Sequence, residues 1–585
     1  MAIYEDEEIA KGFDWHVTKR LAGYMRPHRR NLIVALVGMF LSAGGNIAGP
    51  PLIGFAIEEG IRKNDPSTIG VGVGAYLIMQ GLGLFGFRIQ LNNMATAGQR
   101  IIQAMRDELF VHLQYLSVSF YTSYETGRII SRVINDVNVL REAITFAVVG
   151  SLRESLVLGG IVISMLVINV PLTLVALGAL LLLGVIANTW RIHARKAYIQ
   201  VTEANARVNA ELSEAFNAVR VTQAFDRQEY NYNRFASTFN QRVKDSNLQA
   251  ALVAGLFFPS IELVGGVATG ALISIGGTLV LRQDLSVFTL VTFVLYIDQF
   301  FFPIRMLAQR YNLFQAVMAS GEKIFDLMDR KYDIEDAPDA ISLPVIEGHV
   351  RFEGVNFSYK DGEPVLKNIN LDVPAGYTVA FVGHTGAGKT TMVKLIMRFY
   401  DVKSGKLTID NYDVNKVTQI SLRSQMGVVL QETHLFAGTV MDNIRYGRLN
   451  ATDEEVIDAA KAVGAHDFIM RLEDGYHTEI REGGTLLSAG QRQLLAFARA
   501  LLADPRILIL DEATSNIDTQ TEKIIQAALS KLLKGRTSFV IAHRLSTITA
   551  ADMIVVMDHG EIIECGTHEE LLKRKGVYHK LYTMT

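Results

Sequence analysis

The sequence predicts an all-α membrane domain of six spans with long cytoplasmic helical extensions, followed by an α/β domain of the P-loop class. Three observations lead there. Hydrophobic residues make up 49% of the 585 and mean hydropathy is +0.21, too high for a soluble enzyme of this length. The apolar stretches long enough to cross a bilayer, which takes about 20 helical residues, all fall before residue 330. Beyond it, short β-branched runs alternate with helical patterns around a glycine-rich phosphate-loop pattern.

The spans fall at about 31–58, 68–90, 145–169, 171–190, 250–281 and 285–308. Residues 1–332 read as the membrane domain, 333–348 (DIEDAPDAISLPVIEG) as a linker rich in Asp and Pro, and 349–585 as the nucleotide-binding domain. Basic residues gather before the first span (Lys19, Arg20, Arg26, Arg29, Arg30) and in the long connections after the second and fourth (Arg100, Arg106, Arg128, Arg132, Arg191, Arg195, Lys196). The positive-inside rule therefore places the N-terminus, both connections and, after six crossings, the C-terminal domain in the cytoplasm. The connections, about 91–144 and 191–249, are polar with few helix breakers. They are expected to continue the spans as an antiparallel bundle that turns at Ser117–Gly127 and Ala224–Tyr230. Residues 13–25 (FDWHVTKRLAGYM) mix aromatic and basic residues as an interfacial helix does. The acidic start (Glu5, Asp6, Glu7, Glu8) lacks the basic lead of a cleavable signal peptide, so the first apolar segment is expected to stay. A net charge of −3 with no basic domain excludes nucleic acid as the principal partner. A single cysteine, Cys565, excludes an internal disulfide and a cysteine metal site.

The chemistry lies in the C-terminal half. FVGHTGAGKTT (Phe381–Thr391) contains the G-x-x-x-x-G-K-T pattern, after the apolar run Val379–Val382 and before a helical pattern, Met392–Tyr400. Glycines at 386 and 388 let backbone N–H groups approach phosphate, and a helix N-terminus adds a favourable dipole. Lys389 is placed for the β- and γ-phosphates and Thr390 for Mg²⁺. ILILDEA (Ile507–Ala513) is a buried strand ending in two carboxylates, Asp511 for the metal and Glu512 to polarise the attacking water.

LSAGQRQ (Leu487–Gln493), lying between those two motifs, resembles the signature of ABC transporters. VVLQET resembles the family's Q-loop with Gln431, IAHRLST its switch histidine with His543, SNID (Ser515, Asn516, Ile517, Asp518) its D-loop, and FSY its adenine-stacking aromatic, Tyr359. The resemblance covers residues 350–585, and the six-span half is similar to the family's exporters. It implies an ATPase coupled to transport, with ATP and Mg²⁺ as cofactors. ATP would lie on Tyr359 and on Gly383, His384, Thr385, Gly386, Ala387, Gly388, Lys389, Thr390 and Thr391, with Gln431. Thr390, Gln431 and Asp511 would hold the metal, and Glu512 and His543 would be catalytic. Leu487, Ser488, Ala489, Gly490 and Gln491 would serve ATP held by the opposite subunit, so a site needs two halves.

The family reading is ATP-driven export of small amphipathic molecules or lipids by alternating access, from a bacterial inner membrane. An importer built on the exporter architecture is the alternative. Asp298 falls near the midplane of the sixth span and is expected to face a water-accessible cavity, with Phe301, Phe302 and Arg305 following on the helix. Arg153 and Glu262 come nearer the cytoplasmic edge, pairing with Arg305 or with each other. Ala489 stands where the family signature has Gly, and Asn516 and Ile517 stand where Ala and Leu are usual. A methyl at a glycine position restricts backbone angles and close approach to phosphate. With the other motif residues intact, that combination resembles one subunit of a heterodimeric multidrug exporter.

Glu512→Gln should leave ATP binding intact and cut hydrolysis about 10²–10⁴-fold, the range for a positioned acid–base group. Lys389→Ala should weaken nucleotide binding itself. Binding and turnover assays on the two variants separate these effects, and near-normal turnover by Glu512→Gln would remove its assignment.

Overall fold

The computed structural model describes residues 14–142, 144, 149–360, 362–431, 433–484, 486–511, 519–542 and 544–584. It forms two compact units, one of residues 1–114 and 125–330, the other of residues 115–124 and 331–585.

The first unit is all helical. The described residues hold six helices long and apolar enough to cross a membrane. The spans are built on Arg29–Phe55, Pro66–Tyr115, Val149–Ile168, Val170–Asn217, Gln241–Leu281 and Val287–Met328. In lipid no water satisfies backbone groups, so the helix is the conformation these apolar runs must take. Several run unbroken well past the bilayer thickness. Pro66–Tyr115 has 50 residues, about 75 Å at 1.5 Å per residue. Residues 145–148, counted in the third span, lie outside the described set, as does Phe13 of the interfacial helix. That helix runs Trp15–Met25, capped by Asp14, and buries Val17 and Leu21.

Two devices hold the first span to its neighbours. Glycines let it approach the second closely: a Cβ on Gly38 would stand 2.5 Å from the Gly86 carbonyl oxygen, and one on Gly45 2.6 Å from that of Met79. Further along, Pro50 and Pro51 lie inside the helix. Pro51 has no N–H for the carbonyl four residues back, that of Ile47. The Tyr296 hydroxyl on the sixth span donates to that oxygen at 2.8 Å. Tyr296 is fully buried, among Phe293, Ile297 and Phe300. At the outer end the Phe288 N–H donates to the Glu58 carboxylate at 3.1 Å.

The second unit is α/β. Its larger sheet has the order Glu561–Gly566, Met553–Asp558, Thr378–Val382, Thr537–Ile541, Ile507–Asp511, Met426–Val429. All neighbours are parallel except the first pair. A four-stranded antiparallel sheet, led by Val350–Phe357 and Leu366–Val373, packs beside it through a shared core that includes Phe352, Phe381 and Phe539. The linker is bonded along this unit. Leu343 N–H donates to Ser421 Oγ, Ile346 N–H to Gln425 Oε1, and the N–H groups of Glu347, Gly348 and His349 to the Asp410 carboxylate. Arg398, 1% exposed, bonds the carboxylates of Asp336 and Asp401 and the Val417 carbonyl. Residues 333–348 are therefore an ordered strap: their Asp and Pro suit turns, but also cap and bond a neighbouring surface.

Of the expected turning points, Val118–Ser123 is a short helix in the second unit. Ala224–Tyr230 lies in the first and is exposed, with Phe225 at 72%.

Tyr296→Phe should strand the Ile47 carbonyl and lower stability by about 1 kcal/mol. Adding Pro51→Ala supplies an N–H to the same oxygen and should recover the loss. Thermal unfolding in lipid nanodiscs measures both, and a double variant no better than the single one refutes the pairing.

Candidate functional site

The parallel register assembles the site. Ile541 is opposite Phe381 on one side and Asp511 on the other. Three adjacent strands therefore end at one edge. After Val382 comes the phosphate loop, and Asp511 ends its own strand. Such carboxyl edges are where open parallel sheets bind ligands. Glu512, Ser515, Asn516, Ile517, Asp518 and His543 lie outside the described residues.

The loop's backbone requires glycine. Gly383, Gly386 and Gly388 have φ of 153°, 86° and 104°, conformations that side chains oppose. A Cβ on Gly383 would meet the Met557 carbonyl oxygen at 2.2 Å, whereas one on Gly386 would meet nothing within 4 Å. The loop is thus tight against the sheet at its start and open above its centre. His384, Thr385 and Thr390 are exposed, and Ala387 and Thr391 are buried. The helix Lys389–Ile396 starts directly on Gly388.

Lys389 folds back over the loop: its ammonium donates to the carbonyls of Gly383 at 2.6 Å and His384 at 2.9 Å. Burial pushes its pKa down, and the charge of Asp511 opposes that. The lysine is thereby held as a donor at the mouth of the loop. The oxygens of Thr390, Asp511 and Gln431 are the hard donors that Mg²⁺ takes, so the residues present fit that ion. Gln431 follows the strand Met426–Val429 and is exposed.

Tyr359 is held edge-on by Phe357 and Tyr400, each with ring centroids 5.0 Å away. Its hydroxyl shares a 3.1 Å hydrogen bond with that of Thr391, and Lys394 Nζ lies 5.7 Å from its ring centroid. The ring remains 44% exposed.

Ser488 is the N-cap of the helix Ala489–Leu502, in a capping box with Gln491: Gln491 N–H donates to Ser488 Oγ, and Ser488 N–H to Gln491 Oε1. Leu487 and Gly490 are buried. Ala489 is the first helical residue, with no positive φ. The expected restriction of backbone angles by its methyl group is therefore corrected, because a right-handed helical position accepts alanine freely. Its exposed methyl group keeps only the steric argument.

In the membrane unit, Arg305 pairs with Glu262 at 3.7 Å, and Arg153 with its own neighbour Glu154 at 2.9 Å. Arg153 therefore pairs with neither of its expected partners. Asp298 and Phe302 are exposed, but Phe301 is buried. At 100° per residue, positions 298, 302 and 305 share a face and 301 lies at its edge, turned into the bundle.

Sequence reasoning missed a further group beside the site. The hydroxyls of Ser117 and Ser119 donate to the Asp333 carboxylate, and the Thr122 hydroxyl donates to the Ser119 carbonyl. The run Ser117-Val-Ser119-Phe-Tyr-Thr122 was its only sequence signal.

These features define a membrane protein with a fused P-loop ATPase. Residues 32–304 match the profile of the ABC transporter transmembrane region and residues 366–515 that of the ABC transporter. The chain is 40% identical to the uncharacterized ABC transporter ATP-binding protein YknV of Bacillus subtilis, over 98% of this chain and 95% of that protein. It is 37% identical to an ATP-dependent lipid A-core flippase of Syntrophus aciditrophicus, over 97% and 94%. A solved bacterial Atm1-family ABC exporter with ATP bound superposes with a TM-score of 0.77 at 29% identity, covering 95% of this chain and 98% of that one. The chain belongs to the ABC transporter family. It is an exporter-type half-transporter whose cytoplasmic ATPase domain hydrolyses ATP to drive transport.

Proposed function

We propose that the chain exports small amphipathic molecules or lipids across a bacterial inner membrane, as one half of a heterodimer. The observation that carries the reading is the meeting of phosphate loop and Asp511 at one sheet edge, in a chain whose other unit holds six spans. Tyr359 stacks on adenine, and the open loop centre with Lys389 receives the phosphates. Thr390, Gln431 and Asp511 would hold Mg²⁺, which would neutralise phosphate charge. Glu512 polarises the water and His543 completes the site. The N-terminus of Ala489–Leu502, with Ser488 and Gly490, serves the γ-phosphate of ATP on the other half. ATP thus closes the two ATPase domains, the cavity opens outward, and hydrolysis resets it. The domain limits that suit this reading are 1–332, 333–348 and 349–585. The likeness to a lipid flippase supports an amphipathic cargo.

Asp298 supplies a carboxylate within a span, where an unpaired charge facing lipid costs several kcal/mol. Facing the cavity it selects cationic or amphipathic cargo. Asp298→Asn should therefore reduce uptake of cationic dyes into inside-out vesicles more than that of neutral ones; unchanged transport of every cationic dye tested overturns this.

The heterodimer reading is supported by Ala489, an exposed residue at a helix N-terminus where the family signature has Gly, and by Asn516 and Ile517. The partner should carry an intact signature and a replaced catalytic carboxylate. This chain expressed alone should assemble poorly or hydrolyse ATP slowly. A stable dimer of this chain, hydrolysing ATP with equal occupancy of both sites, would sink the heterodimer.

A further inference from the structure

Beside the glycine contacts of the first two spans lies an apolar groove of about 350 Å³. Val37, Phe40, Leu41 and Gly44 of the first span line it, with Met79 and Leu82 of the second. A Cβ on Gly44 would meet nothing within 4 Å, so the groove is open there, whereas Gly38 and Gly45 are pressed against the second span. Phe40 is 60% exposed and Val37 54%.

The groove has a basic mouth. At 100° per residue, Arg30, Val34, Val37, Leu41 and Gly44 fall within about 80° of one another on the first span. Arg30 and its neighbour Arg29 are exposed, and among the described residues neither has an acidic partner. No Asp or Glu occurs from Trp15 to Ile57 or from Pro66 to Arg106, so neither helix offers one near the groove. On the second span Asn93 shares the face of Met79 and accepts a hydrogen bond from the Asn31 amide at 3.3 Å. This polar pair closes the seam at the level of the arginines.

Depth and direction then decide what the groove can hold. Val37 and Gly44 lie about 10 and 21 Å along the helix axis from Arg30. A headgroup layer is about 5–7 Å thick and one leaflet of hydrocarbon about 15 Å. With Arg30 among the headgroups, the groove covers the acyl region of the cytoplasmic leaflet and stops near the midplane. Ala43 and Ile47, which meet the third and sixth spans, lie about 100–140° around the helix from Arg30. The groove therefore faces away from the sixth span and from Asp298.

We propose that this groove holds one acyl chain of an anionic phospholipid of the cytoplasmic leaflet, with the lipid phosphate on Arg30 and Arg29. The lipid is a resident of the lipid-facing wall and not cargo. Apolar side chains alone would accept any acyl chain. Two arginines with no carboxylate to occupy them select a headgroup of net negative charge.

The test uses the assembled transporter in phosphatidylcholine nanodiscs doped with a phosphatidylglycerol that carries a diazirine near the middle of one chain. Irradiation should label residues 37–44 and 79–82, and unlabelled phosphatidylglycerol should compete where added phosphatidylcholine does not. Gly44→Leu fills the open point and should remove the labelling. Arg29→Gln and Arg30→Gln should each weaken competition by phosphatidylglycerol about fivefold, the factor one basic residue supplies near an anionic surface. Because these two side chains are exposed, the arginine variants test the site even if Gly44→Leu impairs folding. Equal competition by phosphatidylcholine would overturn the headgroup selection, and label spread evenly over all six spans would overturn the site. A groove that is labelled in the isolated chain but not in the assembled transporter would be covered by the partner half, which would overturn the lipid as its occupant.

Discussion

The hydrogen bonds that tie Thr537–Ile541 to parallel strands on both sides decide where the rest of the second unit can go. Parallel pairing forces the three strands to end on the same edge, so Phe381, Asp511 and Ile541 lie side by side although far apart in sequence. A slip of one residue would move every side chain of a strand to the opposite face. The strand Thr537–Ile541 is buried on both faces, so a slip would set Thr537, Ser538, Phe539, Val540 and Ile541 against neighbours packed for other side chains. The proposed nucleotide chemistry hangs on this edge, from the glycine loop pressed against Met557 to the lysine bonded across it.

The membrane unit obeys a different constraint. With no water at hand, a carbonyl freed by proline must find another donor, and Tyr296 is that donor for Ile47. The prolines therefore free an acceptor in the first span, and the Tyr296 hydroxyl on the sixth span donates to it. The paired glycines bring the second span close by removing side chains altogether. One contact depends on a polar bond and the other on shape, and the first span is fixed between them.

Between these extremes lies the strap, residues 333–348. Its carboxylates and N–H groups meet Arg398, Ser421, Gln425 and Asp410, so a connection that could have been slack is tied at several points. Asp333 also receives the serines of the segment that continues the second span. Chain that leaves the membrane helices at two points is therefore bonded together within the second unit.

Much of this was legible in the residues themselves. The six apolar helices, the α/β class of the second unit and the cytoplasmic side of the ATPase come from local signals: hydropathy over twenty residues, short β-branched runs alternating with helical patterns, and arginine placement. Such signals survive in sequence because the physics behind them acts over a few neighbouring residues. The partners of single side chains were not legible. Arg153 bonds Glu154 rather than Glu262 or Arg305, Phe301 turns inward while Phe302 does not, and Ala489 sits unstrained at a helix start. Nothing near Asp333 announces that it meets Ser117 and Ser119, 216 and 214 residues earlier in the chain. These pairings depend on rotamers and on which helix face packing has already claimed, and only the tertiary structure decides them.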